Sequence, residues 1–176
     1  MQRITFLILL GIIISLQSVT AHGGEDKEGL TNLQIMLISI SACVVFYVFS
    51  NKFSIFFKES GTEKYLLTLA AYTGVVHTLL GIDDSLLLLG GVGVISVITI
   101  SSFTDFGRTK NGLFRIILGG VVISMFIAYF VSNHDLHYIA EDYLGMTTKI
   151  AELGIIGLLI KKYKDESKND STLTTN

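Results

Sequence analysis

An all-α, polytopic membrane helix bundle is the fold class the sequence predicts, and three observations predict it. Half of the 176 residues are hydrophobic and 16% are charged, with a mean hydropathy of +0.60, whereas ordinary soluble domains carry about 25% charge. The apolar residues lie in continuous runs rather than alternating, and lipid cannot satisfy the open edge of a strand. The basic residues fall on alternate connections, as in a chain that weaves across a bilayer. The same composition excludes a disordered chain, a collagen and a soluble two-domain enzyme. A net charge of −2, with no basic patch to track phosphates, argues against nucleic acid as a partner. A single cysteine, Cys43, excludes an internal disulfide framework and a CxxC zinc site.

Residues 1–21 read as a cleavable signal peptide. Arg3 supplies the positive start, residues 4–16 form an apolar run broken only by Thr5, Gly11 and Ser15, and Val19-Thr20-Ala21 supplies small residues for cleavage after Ala21. The alternative is an uncleaved first span, but the run is short beside the roughly 20 residues a span needs. Cleavage would start the mature chain at His22, outside the membrane.

Five spans are predicted within the domain 22–160, at residues 30–50, 65–81, 85–103, 113–132 and 143–160. The loop after the first carries Lys52, Lys58 and Lys64. The loop after the third carries Arg108 and Lys110, with Arg115 just inside the fourth span, and the tail carries Lys161, Lys162, Lys164 and Lys168. Together these are ten of the twelve Lys and Arg residues beyond Arg3. Five crossings put all ten on one side, which predicts a multi-pass protein of the cell membrane, mature N-terminus outside and C-terminus cytoplasmic. Residues 161–176, polar and rich in Ser, Thr and Asn, are expected to be a disordered cytoplasmic tail.

Small residues predict where helices meet. Ala70-xxx-Gly74 and Gly120-xxx-Ser124 have the spacing that lets helix backbones approach. Residues 89–96 and 118–124 echo each other as Leu-Gly-Gly-Val, in spans of opposite direction. Inverted repeats occur in transporters, but shared packing chemistry explains the echo as well.

The opposite side gathers acids and imidazoles. His134, His137 and Glu141 fall at i, i+3 and i+7, so a helical loop would align two imidazoles and a carboxylate. That donor set suits nickel, cobalt, zinc or copper better than calcium or magnesium; the plainer reading is a polar loop meeting water. Ala70, Thr73, Gly74, His77, Gly81 and Asp84 form a small, polar stripe that must face other helices. His77 on it needs a partner, for which Asp83, Asp84, His134 and His137 are candidates. Glu152 lies midway along the fifth span as a relay candidate, with Lys149 one turn earlier as a possible ion-pair partner. His22, as a new N-terminus, would offer an amine and an imidazole to copper. Cys43 reads as an inert small hydrophobe among aliphatics. With no GxSxG, HExxH or phosphate loop, an enzyme is not expected.

His77-Thr78-Leu79-Leu80-Gly81-Ile82-Asp83-Asp84, followed by Leu86–Leu89 and Gly90, resembles the HPxxGxDH signature of the HupE/UreJ family. His77, Gly81 and Asp83 match; Thr78 stands for the proline and Asp84 for the second histidine. A signal peptide followed by a His-containing stretch, as at Ala21-His22-Gly23-Gly24, is a further similarity. The resemblance covers about twenty residues and implies a small nickel or cobalt permease of about six spans. Two functions are therefore expected. One is binding or transport of a divalent transition-metal cation, collected by Asp83, Asp84, His134, His137 and Glu141 and passed by His77 and Glu152. The other is a non-catalytic subunit of a larger membrane complex, such as a copper-dependent oxygenase or a respiratory complex. Expected partners are the lipid bilayer, further copies of the chain or other membrane subunits.

Overall fold

A computed structural model describes residues 30–52, 61–82, 84–132 and 141–173. Among them there are helices and no strands: α1 (Asn32–Lys52), α2 (Gly61–Leu80), α3 (Ser85–Phe103), a short α4 (Asp105–Thr109), α5 (Asn111–Ser132) and α6 (Tyr143–Leu173). Three stretches are long and apolar enough to cross a membrane: α3, α5 and residues 143–168 of α6; α1 adds a shorter apolar stretch, Asn32–Val48. The fold is therefore an all-helical membrane bundle.

Polar residues fix where the helices begin. Thr31 and Gln34 form a capping box, Thr31 N donating to Gln34 Oε1 at 2.9 Å and Gln34 N to Thr31 Oγ1 at 3.3 Å. Asp84 caps α3 through Leu86 N, Thr104 caps α4 through Gly107 N, and Asp142 accepts from Gly145 N at the start of α6. Inside the bundle, Thr68 and Thr78 return their hydroxyls to the carbonyls of Lys64 and Gly74, which spares lipid an unpaired donor.

Helix α2 is the hub, packing against α1, α3 and α6, while α5 lies against α3 and α6. That position explains why α2 is less apolar than α1 and α3: Thr73 and His77 are buried against protein. Of the predicted stripe, Ala70, Thr73, Gly74, His77 and Gly81 are buried, and Asp84 is exposed at its end. One core gathers Leu66, Ala70, Val94, Ile98, Leu118, Val122 and Ile155; a second gathers Ile35, Tyr72, Val76, Leu144 and Ala151. The outer faces keep large apolar side chains such as Leu86, Ile116 and Ile150 exposed, as lipid requires.

The two small-residue pairs behave differently. Gly74 meets Gly91 where α2 crosses α3, and a Cβ on Gly91 would strike the Thr78 backbone and come within 2.8 Å of Gly74 O. Gly120 has nothing within 4 Å of where a Cβ would sit, and Ser124 hydroxyl bonds back to its carbonyl. The Gly120–Ser124 pair therefore makes no close helix contact among the described residues, and the two Leu-Gly-Gly-Val segments do not pack equivalently.

The tail also departs from expectation. Helix α6 continues to Leu173 rather than ending near residue 160 in a disordered tail. Its extra turns are tied down: Lys162 Nζ lies 2.7 Å from Glu63 Oε1, and Arg115 donates to Glu166 Oε1 at 2.6 Å and to Glu63 Oε1 at 2.9 Å. Asn111 adds a bond to Glu63 at 3.1 Å. Glu63 thus joins α2, α5 and α6 at one end of the bundle. Burial alone would raise its carboxyl, but the bonds from Lys162, Asn111 and Arg115, with the Lys162 charge, outweigh it and hold the group below its ordinary range.

Two outcomes follow. Gly91→Val should lower the melting temperature of the detergent-purified protein, overpacking costing about 1–3 kcal/mol, whereas Gly120→Ala should leave it unchanged. Because folding holds Glu63 more acidic than the unfolded chain does, its contribution is complete above the ordinary glutamate value of about 4.3 and is lost as pH falls through the depressed one. Melting temperature should therefore drop on acidification below that value, and Glu63→Gln should flatten that limb.

Candidate functional site

At the end of the bundle away from Glu63, the helices open around a cavity of about 460 Å³. Its wall is drawn from the start of α1 (Asn32), the end of α2 (Val76, His77, Leu80), the start of α3 (Asp84, Leu86), the end of α5 (Met125, Tyr129, Ser132) and the start of α6 (Asp142, Thr148, Lys149). Successive long helices therefore reach this end by alternate termini. The rim is acidic, with Asp84 and Asp142; the walls are largely aliphatic; and His77 and Lys149 lie deeper, both buried.

Beyond them is a buried ionic cluster. Glu152, completely buried, receives Lys149 Nζ on both carboxylate oxygens, at 2.9 Å on Oε1 and 2.7 Å on Oε2. The third ammonium proton reaches Met125 O at 3.3 Å, and the Tyr129 ring lies 5.0 Å from Nζ, within cation–π range. Oε1 is the point of convergence: it also accepts from Thr73 Oγ1 at 3.2 Å and faces His77 Nε2 at 3.6 Å. His77 Nδ1 is 2.9 Å from Thr73 O. A carbonyl only accepts, so Nδ1 carries a proton and Nε2 is the nitrogen turned toward Glu152.

This arrangement follows from helix geometry. Thr73 and His77 are one turn apart on α2, Lys149 and Glu152 one turn apart on α6, and the two helices pack together. Each supplies a polar stripe that lipid would reject, so the stripes face each other. Lys149 and Glu152 pair as the sequence suggests. His77 finds its hydrogen-bond partner in Thr73 and turns Nε2 toward Glu152 at 3.6 Å; Asp84, proposed for that role, has Oδ1 engaged by the amides of Leu86 and Leu87.

Sequence reasoning missed Tyr129. Tyr129 hydroxyl donates to Asp142 Oδ2 at 3.0 Å, linking the rim of the cavity to the residue beside Lys149. Its signal was a tyrosine at the end of an otherwise aliphatic span, next to a loop rich in acids. Glu141 is exposed, two residues before α6 begins, and Asp84 lines the cavity rim. His22, Asp83, His134 and His137, with residues 1–21, lie outside the described residues. Among the described residues no group of three or more His, Cys, Asp or Glu side chains is placed to hold a metal ion. Cys43 donates its thiol to Thr68 O at 3.0 Å and lies away from the cluster.

Comparison of the chain with family models, curated proteins and solved structures gives no match.

The pair's energetics are testable. Removing one partner of a buried ion pair costs about 3–5 kcal/mol, because the other charge is stranded. Lys149→Met should therefore lower the melting temperature in detergent steeply, and Lys149→Met with Glu152→Leu should recover most of the loss. A double-variant cycle on thermal unfolding measures the coupling.

Proposed function

We propose that this protein is a five-span permease or carrier for a divalent transition-metal cation of the nickel, cobalt, copper or zinc type. In this reading Glu152 is the cation's inner binding group and Lys149 its internal substitute. The observation that carries the proposal is the convergence on Glu152 Oε1 of an ammonium, a hydroxyl and an imidazole nitrogen at 2.9, 3.2 and 3.6 Å, reached from a cavity with an acidic rim. A carboxylate, an imidazole and a hydroxyl are ligands a borderline cation accepts. A divalent ion entering from the rim, where Asp84 and Asp142 attract it, reaches the carboxylate only by displacing the ammonium. Lys149 then moves toward Met125 O and Tyr129, which already contact it. The carboxylate is therefore not left without a counter-charge in either state.

The orientation proposed places the cavity outside and the Glu63 end in the cytoplasm, after removal of residues 1–21. Two observations support it: the long helices present alternate termini to the cavity, and Lys64, Arg115 and Lys162 sit toward the other end. The partial HupE/UreJ-like signature points to the same class of cargo. Asp83, His134, His137 and Glu141 remain the proposed outer collecting groups, and His22 a further one.

A second reading has its own support. All three ammonium protons of Lys149 and both oxygens of Glu152 are already satisfied within the chain, as a purely structural ion pair requires. The protein would then be a non-catalytic subunit of a larger membrane complex.

Thermal shift with nickel, cobalt, copper and zinc separates the two. A permease should gain melting temperature with one of these ions, with Glu152→Gln lowering affinity by about 10–100-fold, the range seen when a ligand's setting is spoiled. Lys149→Met, with its competitor gone, should be stabilised by the ion more than the parent. No ion-dependent shift in either protein, together with co-purification of other chains in mild detergent, would sink the first reading and establish the second.

A further inference from the structure

We propose that the Glu63 cluster is a latch that holds the far end of the bundle shut, and that release of a cargo at that end requires the cluster to come apart. The inference rests on the transport reading above and adds to it the element that closes the path.

The same three helices are involved at both ends. α2, α5 and α6 line the cavity with His77, Tyr129 and Lys149, and Glu152 lies behind Lys149. At their other ends they converge on one carboxylate oxygen, Glu63 Oε1, which receives Lys162 at 2.7 Å, Arg115 at 2.9 Å and Asn111 at 3.1 Å. Between the two ends lies the apolar layer of Leu66, Ala70, Ile98, Leu118, Val122 and Ile155. The path is thus closed by an apolar layer and an ionic one in series. Apolar contacts between helices gain little from lipid, which is as apolar as they are. The ionic layer supplies the tie, and each of its groups can exchange its partner for water when the helices part.

A second observation marks this end as a place where water enters. A small cavity of about 20 Å³ lies just inside the cluster, lined by Glu63, Ser101, Ser102, Asn111 and Arg115 among others. Two buried polar atoms there, Ser102 Oγ and Arg115 Nε, have no hydrogen-bond partner among the described residues. Ser102 is 95% buried. The space admits about one water. Here the polar groups are kept, unpaired, directly behind the tie that must open.

Cysteine accessibility tests the latch without any transport assay. In a Cys43→Ser background, Ser102→Cys places a single thiol behind the cluster, and a water-soluble maleimide in detergent reads its exposure. Labelling should be slow in the parent. It should accelerate at least about tenfold in Glu63→Gln, the change that follows from losing a hydrogen bond to a charged group. Ile155→Cys in the same background reports on the apolar layer and should stay unlabelled in Glu63→Gln. An unchanged rate at position 102 overturns the latch, as does equal acceleration at position 155, which would mean general loosening. Should Glu63→Gln fail to fold, Lys162→Gln takes its place with the same two readouts. The metal-dependent thermal shift of the parent is a separate measurement, so a failed latch and a failed transport reading give different results.

Discussion

Burying Lys149 against Glu152 in the middle of a membrane bundle is the constraint from which the rest follows. Neither charge can meet lipid, and neither can be left alone without a penalty of several kcal/mol. Each must therefore sit on a face covered by protein. That requirement places α6 against α2, and it draws the polar residues of α2 to the same interface: Thr73 donates to Glu152, and His77 turns Nε2 toward it. A helix bearing these residues has to be surrounded, and α2 is, by α1, α3 and α6. The close crossing at Gly74 and Gly91 then sets how near α3 can come.

The two ends of the bundle solve opposite problems with the same chemistry. At the cavity end, acids stand at helix starts, where Asp84 and Asp142 cap backbone amides while lining an opening. At the other end, an acid lies among cations contributed by two other helices and draws them together. In the first place a carboxylate leaves room for something else to arrive; in the second it leaves none. The two ends therefore differ in kind: one is an open, largely aliphatic chamber with an acidic rim, the other a carboxylate tied across three helices.

Much of the fold was legible in the sequence because lipid is a demanding solvent. The expected third span, residues 85–103, coincides with α3, and the start of α6 at Tyr143 is the residue expected. Lys149 and Glu152 were readable as a pair because one turn separates them. Partnership across helices was harder. Sequence spacing shows that His77 must face protein, but not which protein face, and Asp84 next door looked nearer than Glu152 on another helix. The continuation of α6 was hidden for a related reason: its composition past residue 160 is that of a solvated end. What orders it is Glu63, Arg115 and Lys162, residues brought together only by folding. The loop that would carry His134 and His137 falls outside the described residues, so the metal-ligand spacing seen there has no counterpart in the site geometry.

Helix α6 runs unbroken for 31 residues, from beside the chamber to beyond the tied end. At 1.5 Å per residue that is a rod of about 46 Å, and the chain contains no proline to bend it. Lys149, Glu152 and Lys162 all ride on it. A stiff rod passes a tilt at Lys149 and Glu152 on to Lys162 in proportion to the distance of each from its pivot, without any chain of small side-chain moves between them.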